Sequence, residues 1–397
     1  MSSKIVLTAF IDGLKPSSIK YMPFLNSLEQ KKRIKTDLGY SITCHATMYT
    51  GVFPNKHHMW FVWKYSPETS PFRLIPNSAA VKYMDSLLSR YTIGKLSRLF
   101  ARNSSYAGVS IMKKSAMKNW SYFDVSEHKL WDEDGYLETA PTIFEIFRNN
   151  NIDFRTVGLV SGKHNGGALS HIKNYSAKDE TAKWVYLFIG GVDQYSHKYT
   201  QEDEKTIQLL KDVDREIERI YTELTKNHDQ VDFFCFSDHG HMKVEKQFDI
   251  YQLFSKHGID LDSYIHIIDT NYARFWPRNL KEENQIKLIL NEIPSGFILN
   301  EKHLKKYNTS MPDNRYGDII YYLDFPYMFK KTVWGYGLRT NSIHGYLPDY
   351  KEKDGVLIAN RKTHGEEYIT LADIAPSLLE LLEVKGNCEF DGNTIWR

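Results

Sequence analysis

Three short apolar runs, "KIVLTAFIDG", "KWVYLFIGGVD" and "VDFFCFSDHG", each break off at an acid: Asp12, Asp193 and Asp238. Continuous β-branched, aromatic and aliphatic runs of this length predict strands buried on both faces, as in a parallel sheet. Between them lie "APTIFEIFRNNN" and "TIQLLKDVDREIERIYTELTKN", whose apolar residues recur at spacings of three and four and predict helices. Alternating strand and helix implies an α/β domain, doubly wound, with a mostly parallel sheet and helices on both faces. Ligands of such sheets sit beyond the carboxyl ends of the strands. The three acids therefore share one rim, and a site is expected there.

Two stretches break the alternation. Residues 60–134 contain "SLLSRYTIGKLSRLFARN" and many aromatics, and are expected to form a mostly helical insertion or lid. Residues 246–329, with "NQIKLILNEI" and "GDIIYYLDF", are expected to form a small α+β subdomain. Both are read as insertions in one catalytic domain spanning 1–397, which closes with the amphipathic "ITLADIAPSLLELLEV". The net charge of +2 offers no bulk attraction to a nucleic-acid polymer or an anionic membrane. Three widely spread cysteines, Cys44, Cys235 and Cys388, suggest no disulfide framework. The first apolar run is too short for a signal peptide, and no window reaches the roughly 18 apolar residues of a membrane helix. A cytoplasmic location without a membrane span is the expectation.

Asp193 and His197 are four residues apart, so on a helix that starts after a strand they lie on one face and can grip one ion. Asp238 and His239 follow their strand directly, where the chain splays. Alone, the first pair reads more readily as a helix N-cap Asp with a surface His, and the second equally as a turn with a capping Asp. Together with Asp12 they bring three carboxylates and two imidazoles to one rim, and without metal those acids would repel and titrate high. Mixed nitrogen and oxygen donors favour zinc, whereas magnesium would want oxygens only. Two ions with about three protein ligands each need about six donors. Five are counted, and the sixth is expected to be His344 in "SIHGYLPDY" or His364 in "KTHGEEY". His257-Gly258 reads as a helix end instead.

These residues resemble the alkaline phosphatase superfamily, and within it the type I phosphodiesterase / nucleotide pyrophosphatase family. The matching elements, in order, are Asp12, a hydroxyl nine residues before Thr50-Gly51, Asp193 with His197, Ser237-Asp238-His239-Gly240, and His344-Gly345-Tyr346. His45, Pro54 and His57 also fall where the family has similar residues. Counting back from Thr50 gives Ser41 as the implied nucleophile, with Thr43 as runner-up. The resemblance also favours His344 over His364 as the sixth ligand. It implies two divalent ions, zinc foremost and manganese as the alternative. One would be held by Asp12, Asp238, His239 and Ser41, the other by Asp193, His197 and His344. The implied activity is hydrolysis of a small phosphodiester or nucleotide-linked substrate through a phosphoryl-serine intermediate.

The sequence departs from the family at the phosphate contacts. Val62 stands where the family has an Asn, and Cys44 replaces a second Asn three residues after Ser41. Serine also replaces the family's usual threonine. Lys64, Lys163, His164 and Arg274 are the cationic candidates for the missing contact. The competing readings are a phosphomonoesterase or phosphoryl transferase of the same superfamily, and a non-catalytic binding relative. A sulfatase is disfavoured, because no C/S-x-P-x-R pattern surrounds Ser41.

Overall fold

Alternate residues of one strand show how the main sheet is built. In the computed structural model, which describes residues 4–70, 73, 121–158, 169–336, 340–384 and 388–397, the run Trp184–Ile189 is a fully buried strand. Val185, Leu187 and Ile189 belong to an aliphatic core, while Trp184, Tyr186 and Phe188 form an aromatic layer on the opposite face. The neighbouring strand Lys4–Ile11 follows the same rule. Its Ile5, Leu7, Ala9 and Ile11 join the aliphatic core, and Phe10 stacks on Phe188. Successive side chains of a strand point to opposite faces, so a wholly apolar run can cover two layers of helices.

The main sheet has seven strands: β1 (Lys4–Ile11), β2 (Gln30–Lys35), β3 (Phe154–Val157), β4 (Trp184–Ile189), β5 (Gln230–Phe236), β6 (Gly355–Ala359) and β7 (Tyr368–Thr370). Their spatial order is β7-β2-β6-β5-β1-β4-β3. The block β5-β1-β4-β3 is parallel, and β6 runs antiparallel between β2 and β5, so the sheet is mixed. Three helices position the site: α1 (Ser41–Thr50), α2 (Gly191–Tyr199) and the long α3 (Glu204–Asn227). Leu210, Val213, Ile217, Ile220 and Leu224 of α3 form its apolar stripe against the aliphatic face. The aromatic face lies under α1 and the helix Ile143–Asn149, through Tyr49 against Phe144 and Phe144 against Trp184. Helices thus cover both faces.

The chain divides into two compact units. The first comprises Met1–Met59, Lys129–Lys243 and Thr340–Arg397 and carries the seven-stranded sheet. The second comprises Trp60–His128 and Val244–Arg339. It contains a four-stranded antiparallel sheet built from His266–Ile268, Tyr272–Phe275, Ile319–Tyr322 and Phe297–Ile298, in that order. The helices Ile250–Lys256 and Leu280–Leu290 supply Phe254, Ile286 and Ile289 to its core. The segment "SLLSRYTIGKLSRLFARN", expected to be helical, lies outside the described residues. The flanks of that insertion pair as an antiparallel ribbon, Trp63–Tyr65 with Phe123–Val125. None of the described helices is long and apolar enough to cross a membrane.

Candidate metal centre and nucleophile

Strands β4, β1 and β5 are adjacent and parallel, so their carboxyl ends meet on one edge. Asp12 directly follows β1, with its N–H donating to Ile189 O at 3.0 Å. Asp238 lies two residues past β5, and Asp193 is the third residue of α2. Gly13 makes the convergence possible. Its φ is +72°, and a Cβ there would approach within 2.9 Å of His241 Nε2 and 3.2 Å of Asp193 Oδ1. Its N–H donates to Asp238 Oδ1 at 3.2 Å.

Ser41 is the first residue of α1, at the positive end of that helix dipole. Its Oγ lies 2.8 Å from His239 Nε2. His239 Nδ1 is 3.2 Å from Gly240 O, an acceptor only, so Nδ1 carries the proton and Nε2 offers its lone pair. That Nε2 is 3.6 Å from Asp12 Oδ1 and 3.3 Å from Asp238 Oδ2. Both of those carboxylate oxygens are buried and accept no hydrogen bond among the described residues. His45 Nε2 stands 3.8 Å from Asp238 Oδ2, with its ring edge-on to Phe10 and to Trp131.

The second cluster centres on Asp193 Oδ1. It lies 3.4 Å from His197 Nε2, 3.7 Å from His344 Nε2 and 2.8 Å from His241 Nε2. His344 follows the short strand Ser342–Ile343, and its ring stacks on His239 at 3.9 Å. His241 was missed at the sequence level. Its only signal was a second imidazole two residues after His239 in "SDHGH".

Electrostatics separates the clusters. Burial, then Asp238 and Asp193, push the Asp12 carboxyl well up. Burial and the Asp193 charge push Asp238 up to about 8, against the Gly13 hydrogen bond. Burial alone would also raise Asp193, but His197, His241 and His344 outweigh it and hold it low. Burial lowers His239 and His344 well below the usual range, and His241 to about 4. Imidazoles facing carboxylates, two of whose buried oxygens accept no hydrogen bond among the described residues, are the donor set a divalent cation requires. Asp193/His197/His344, Asp193/His239/His241 and Asp12/His45/Asp238 each bring three donor atoms within 4.8 Å of one another.

The remaining candidates lie elsewhere. Thr43 is wholly buried in α1. His364 is exposed, with its N–H bonded to Ile395 O and its carbonyl to Lys32 Nζ. His57 is buried, with Nδ1 accepting from Met59 N–H at 3.1 Å and Nε2 lying 3.0 Å from Thr47 Oγ1. Within the second unit, Arg274 is buried over Phe61, its Nη1 donating to Trp63 O at 2.8 Å. Lys64 is half-buried on the ribbon, and Val62 packs among Trp63, Phe123 and Trp276. Lys163 and His164 lie outside the described residues.

The family model described as type I phosphodiesterase / nucleotide pyrophosphatase matches residues 6–347. Among solved structures, the chain is similar to human ectonucleotide pyrophosphatase / phosphodiesterase 5, with a TM-score of 0.68 and 13% identity over 98% of this chain and 97% of that one. It is also similar to an inactive form of the murine protein in complex with AMP, with a TM-score of 0.67 and 12% identity over the same shares. At these identities the likeness concerns the fold. No curated protein sequence matches the chain.

Proposed function

The chain belongs to the type I phosphodiesterase / nucleotide pyrophosphatase family, a metal-dependent group of hydrolases acting on phosphoric ester bonds, and from that premise we propose a two-zinc phosphodiesterase that works through a phosphoryl-Ser41 intermediate. The observation that carries this reading is the contact of Ser41 Oγ with His239 Nε2 at 2.8 Å, beside two buried carboxylate oxygens that accept no hydrogen bond among the described residues. Asp12, Asp238, His239 and Ser41 would hold one ion, and Asp193, His197 and His344 the other. When bound, such ions supply Lewis acidity that lowers the pKa of a coordinated hydroxyl or water and neutralises charge on phosphoryl oxygens.

The residues of the chain supply the rest. Ser41 Oγ attacks phosphorus in line and gives its proton to solvent water, while the bond to the leaving alkoxide breaks and that alkoxide takes a proton from water. Water then attacks the phosphoryl-serine and releases a phosphomonoester from a diester substrate. The amino end of α1, where Ser41 sits, favours the negative phosphoryl group. A nucleotide-type substrate fits the family, and the AMP complex of the murine neighbour supports that choice. A cytoplasmic setting remains part of the proposal, consistent with three free cysteines.

The test is turnover of bis(p-nitrophenyl) phosphate against p-nitrophenyl phosphate by zinc-loaded protein. Preference for the diester, lost in Ser41→Ala, is the expected result. Preference for the monoester would replace the diesterase reading with a phosphatase. Full activity in Ser41→Ala would remove the serine intermediate.

A further inference from the structure

We propose that His241 is a fourth protein ligand of the ion held by Asp193, His197 and His344, which makes that position an aspartate–trihistidine site. This deepens the two-ion reading above and rests on it. Zinc donors at roughly 2.0–2.1 Å and tetrahedral angles stand about 3.4 Å apart. The distances from Asp193 Oδ1 to the three Nε2 atoms, 2.8, 3.4 and 3.7 Å, bracket that separation.

The proton positions point the same way. His197 Nδ1 faces Ser342 O at 2.9 Å, so it is the protonated nitrogen and Nε2 is free to donate its lone pair. Ser342 Oγ donates to Ser196 O at 2.6 Å, because a carbonyl can only accept. That leaves the Ser342 hydroxyl as acceptor from His241 Nδ1–H at 3.3 Å. One residue thus orients two imidazoles, as partners behind metal-bound histidines commonly do. His241 Nε2 is then a lone pair 2.8 Å from a carboxylate oxygen, with a side chain only 1% exposed. A neutral lone pair and an anion at that distance, away from water, call for a cation between them. The absence of a Cβ at Gly13 keeps the space beside this nitrogen open.

The two positions then differ in kind. The Asp193 position would have four side-chain donors, none of them the nucleophile. The Asp12 position would count Ser41, the residue that becomes phosphorylated, among its four donors. The Asp193 position would therefore be the one that retains its ion.

The test is metal content of the full chain after dialysis against chelators of graded strength, for the native protein, His241→Gln and His241→Cys. Glutamine keeps an N–H for Asp193 but offers no imidazole, whereas cysteine restores a zinc donor. The native chain should release zinc in two steps. His241→Gln should lose the retained ion to a weaker chelator than the native chain does. The loss should exceed the roughly 100-fold that removal of a mere hydrogen-bond partner of a ligand can cost, and His241→Cys should recover much of it. Unchanged retention in His241→Gln would reduce His241 to a hydrogen-bond partner and overturn the proposal. X-ray absorption of native chain loaded with one equivalent of zinc gives a reading independent of any variant's folding. Three imidazoles per zinc are expected, and two would overturn the fourth ligand while leaving the two-ion reading intact. A native chain that binds no zinc would defeat the two-ion reading itself.

Discussion

Helix α1 separates two buried polar clusters that share the same residue types and behave in opposite ways. Ahead of its first residue, Ser41, His239, Asp12 and Asp238 converge with carboxylate oxygens that accept no hydrogen bond among the described residues. Along its body, the hydroxyl of Thr47 donates to Asp37 and lies 3.0 Å from His57 Nε2, while His57 Nδ1 takes the Met59 N–H. Nearby, Lys353 is buried and donates to Tyr346 O. The second cluster is closed: His57 Nε2–H, the Thr47 hydroxyl and the Asp37 carboxylate form one chain of donors and acceptors. Buried polar groups that find partners within the fold stabilise it, whereas those left open cost free energy unless a ligand completes them. The contrast separates the hydroxyl placed to react from those that hold the helix.

The largest expected effect comes from the open cluster. Ser41→Ala should lower turnover by more than about 10³-fold, because without the oxygen no phosphoryl-serine forms. Its melting temperature should stay within about 2 °C of the native value, since a half-exposed hydroxyl at a helix start contributes little. Parallel loss of both would mean that this end of α1 is structural too. Asp238→Asn should be nearly as damaging to turnover and should abolish ion retention at the Asp12 position. In metal-free protein the same change should stabilise the fold by about 1–2 kcal/mol, because it removes one of the crowded carboxylates. Thermal melts with and without zinc read both halves of that expectation, and a destabilised metal-free variant would contradict it.

Much of the open cluster was legible in the sequence, for a physical reason. A fully apolar run that halts at an acid announces both a buried strand and the rim where it ends, so Asp12, Asp193 and Asp238 could be placed together before any coordinates. The spacing of Asp193 and His197 needed only the period of a helix. His241 was hidden because the direction of a side chain in "SDHGH" depends on one turn. Gly240 fits there with no Cβ, against Glu352 O only 2.2 Å from where that atom would be. The choice between His344 and His364 was equally invisible to spacing, since each is followed by glycine. What separates them is strand pairing, which ties Ser342–Ile343 to Met242–Lys243 while the chain near His364 pairs with Trp396. The mostly parallel sheet was legible too, but which strand runs against the others was not, because β6 reads as another apolar run and direction leaves no mark on composition. The closed cluster is assembled from residues as distant as Asp37 and Lys353, and its members look like ordinary surface polar residues in a string of letters.

Effects in the closed cluster should fall on stability. Burial holds His57 down at about 3, from an ordinary value of 6.5. Below pH 6.5 the unfolded chain binds a proton that the folded chain refuses, so this contribution is complete above pH 6.5 and is lost as pH falls toward 3. The full span is worth on the order of 5 kcal/mol at 1.36 kcal/mol per unit. Burial pushes Asp37 up to about 7, and its effect has the opposite sign: stability falls as pH rises from about 4 to 7. The His57 contribution is therefore read as a difference between native protein and His57→Gln. The gap in unfolding free energy should narrow steadily between pH 6.5 and 4 in urea titrations. A constant gap would mean that His57 is protonated in the fold.

The smallest effect is the most direct test of the contrast. Thr47→Val keeps the volume and shape of the side chain in the middle of α1 and deletes one hydroxyl. That hydroxyl donates to Asp37, and removing it leaves a buried carboxylate oxygen and a buried imidazole nitrogen each short of a partner. Orphaned buried groups cost about 1–3 kcal/mol, so the variant should melt several degrees lower. Its kcat per folded molecule should remain within about twofold of native, because no atom lost from Thr47 faces Asp12 or His239. A Thr47→Val protein with native stability and depressed kcat would mean that the two clusters communicate through α1. The division between a closed scaffold and an open site would then have to be drawn along a different boundary.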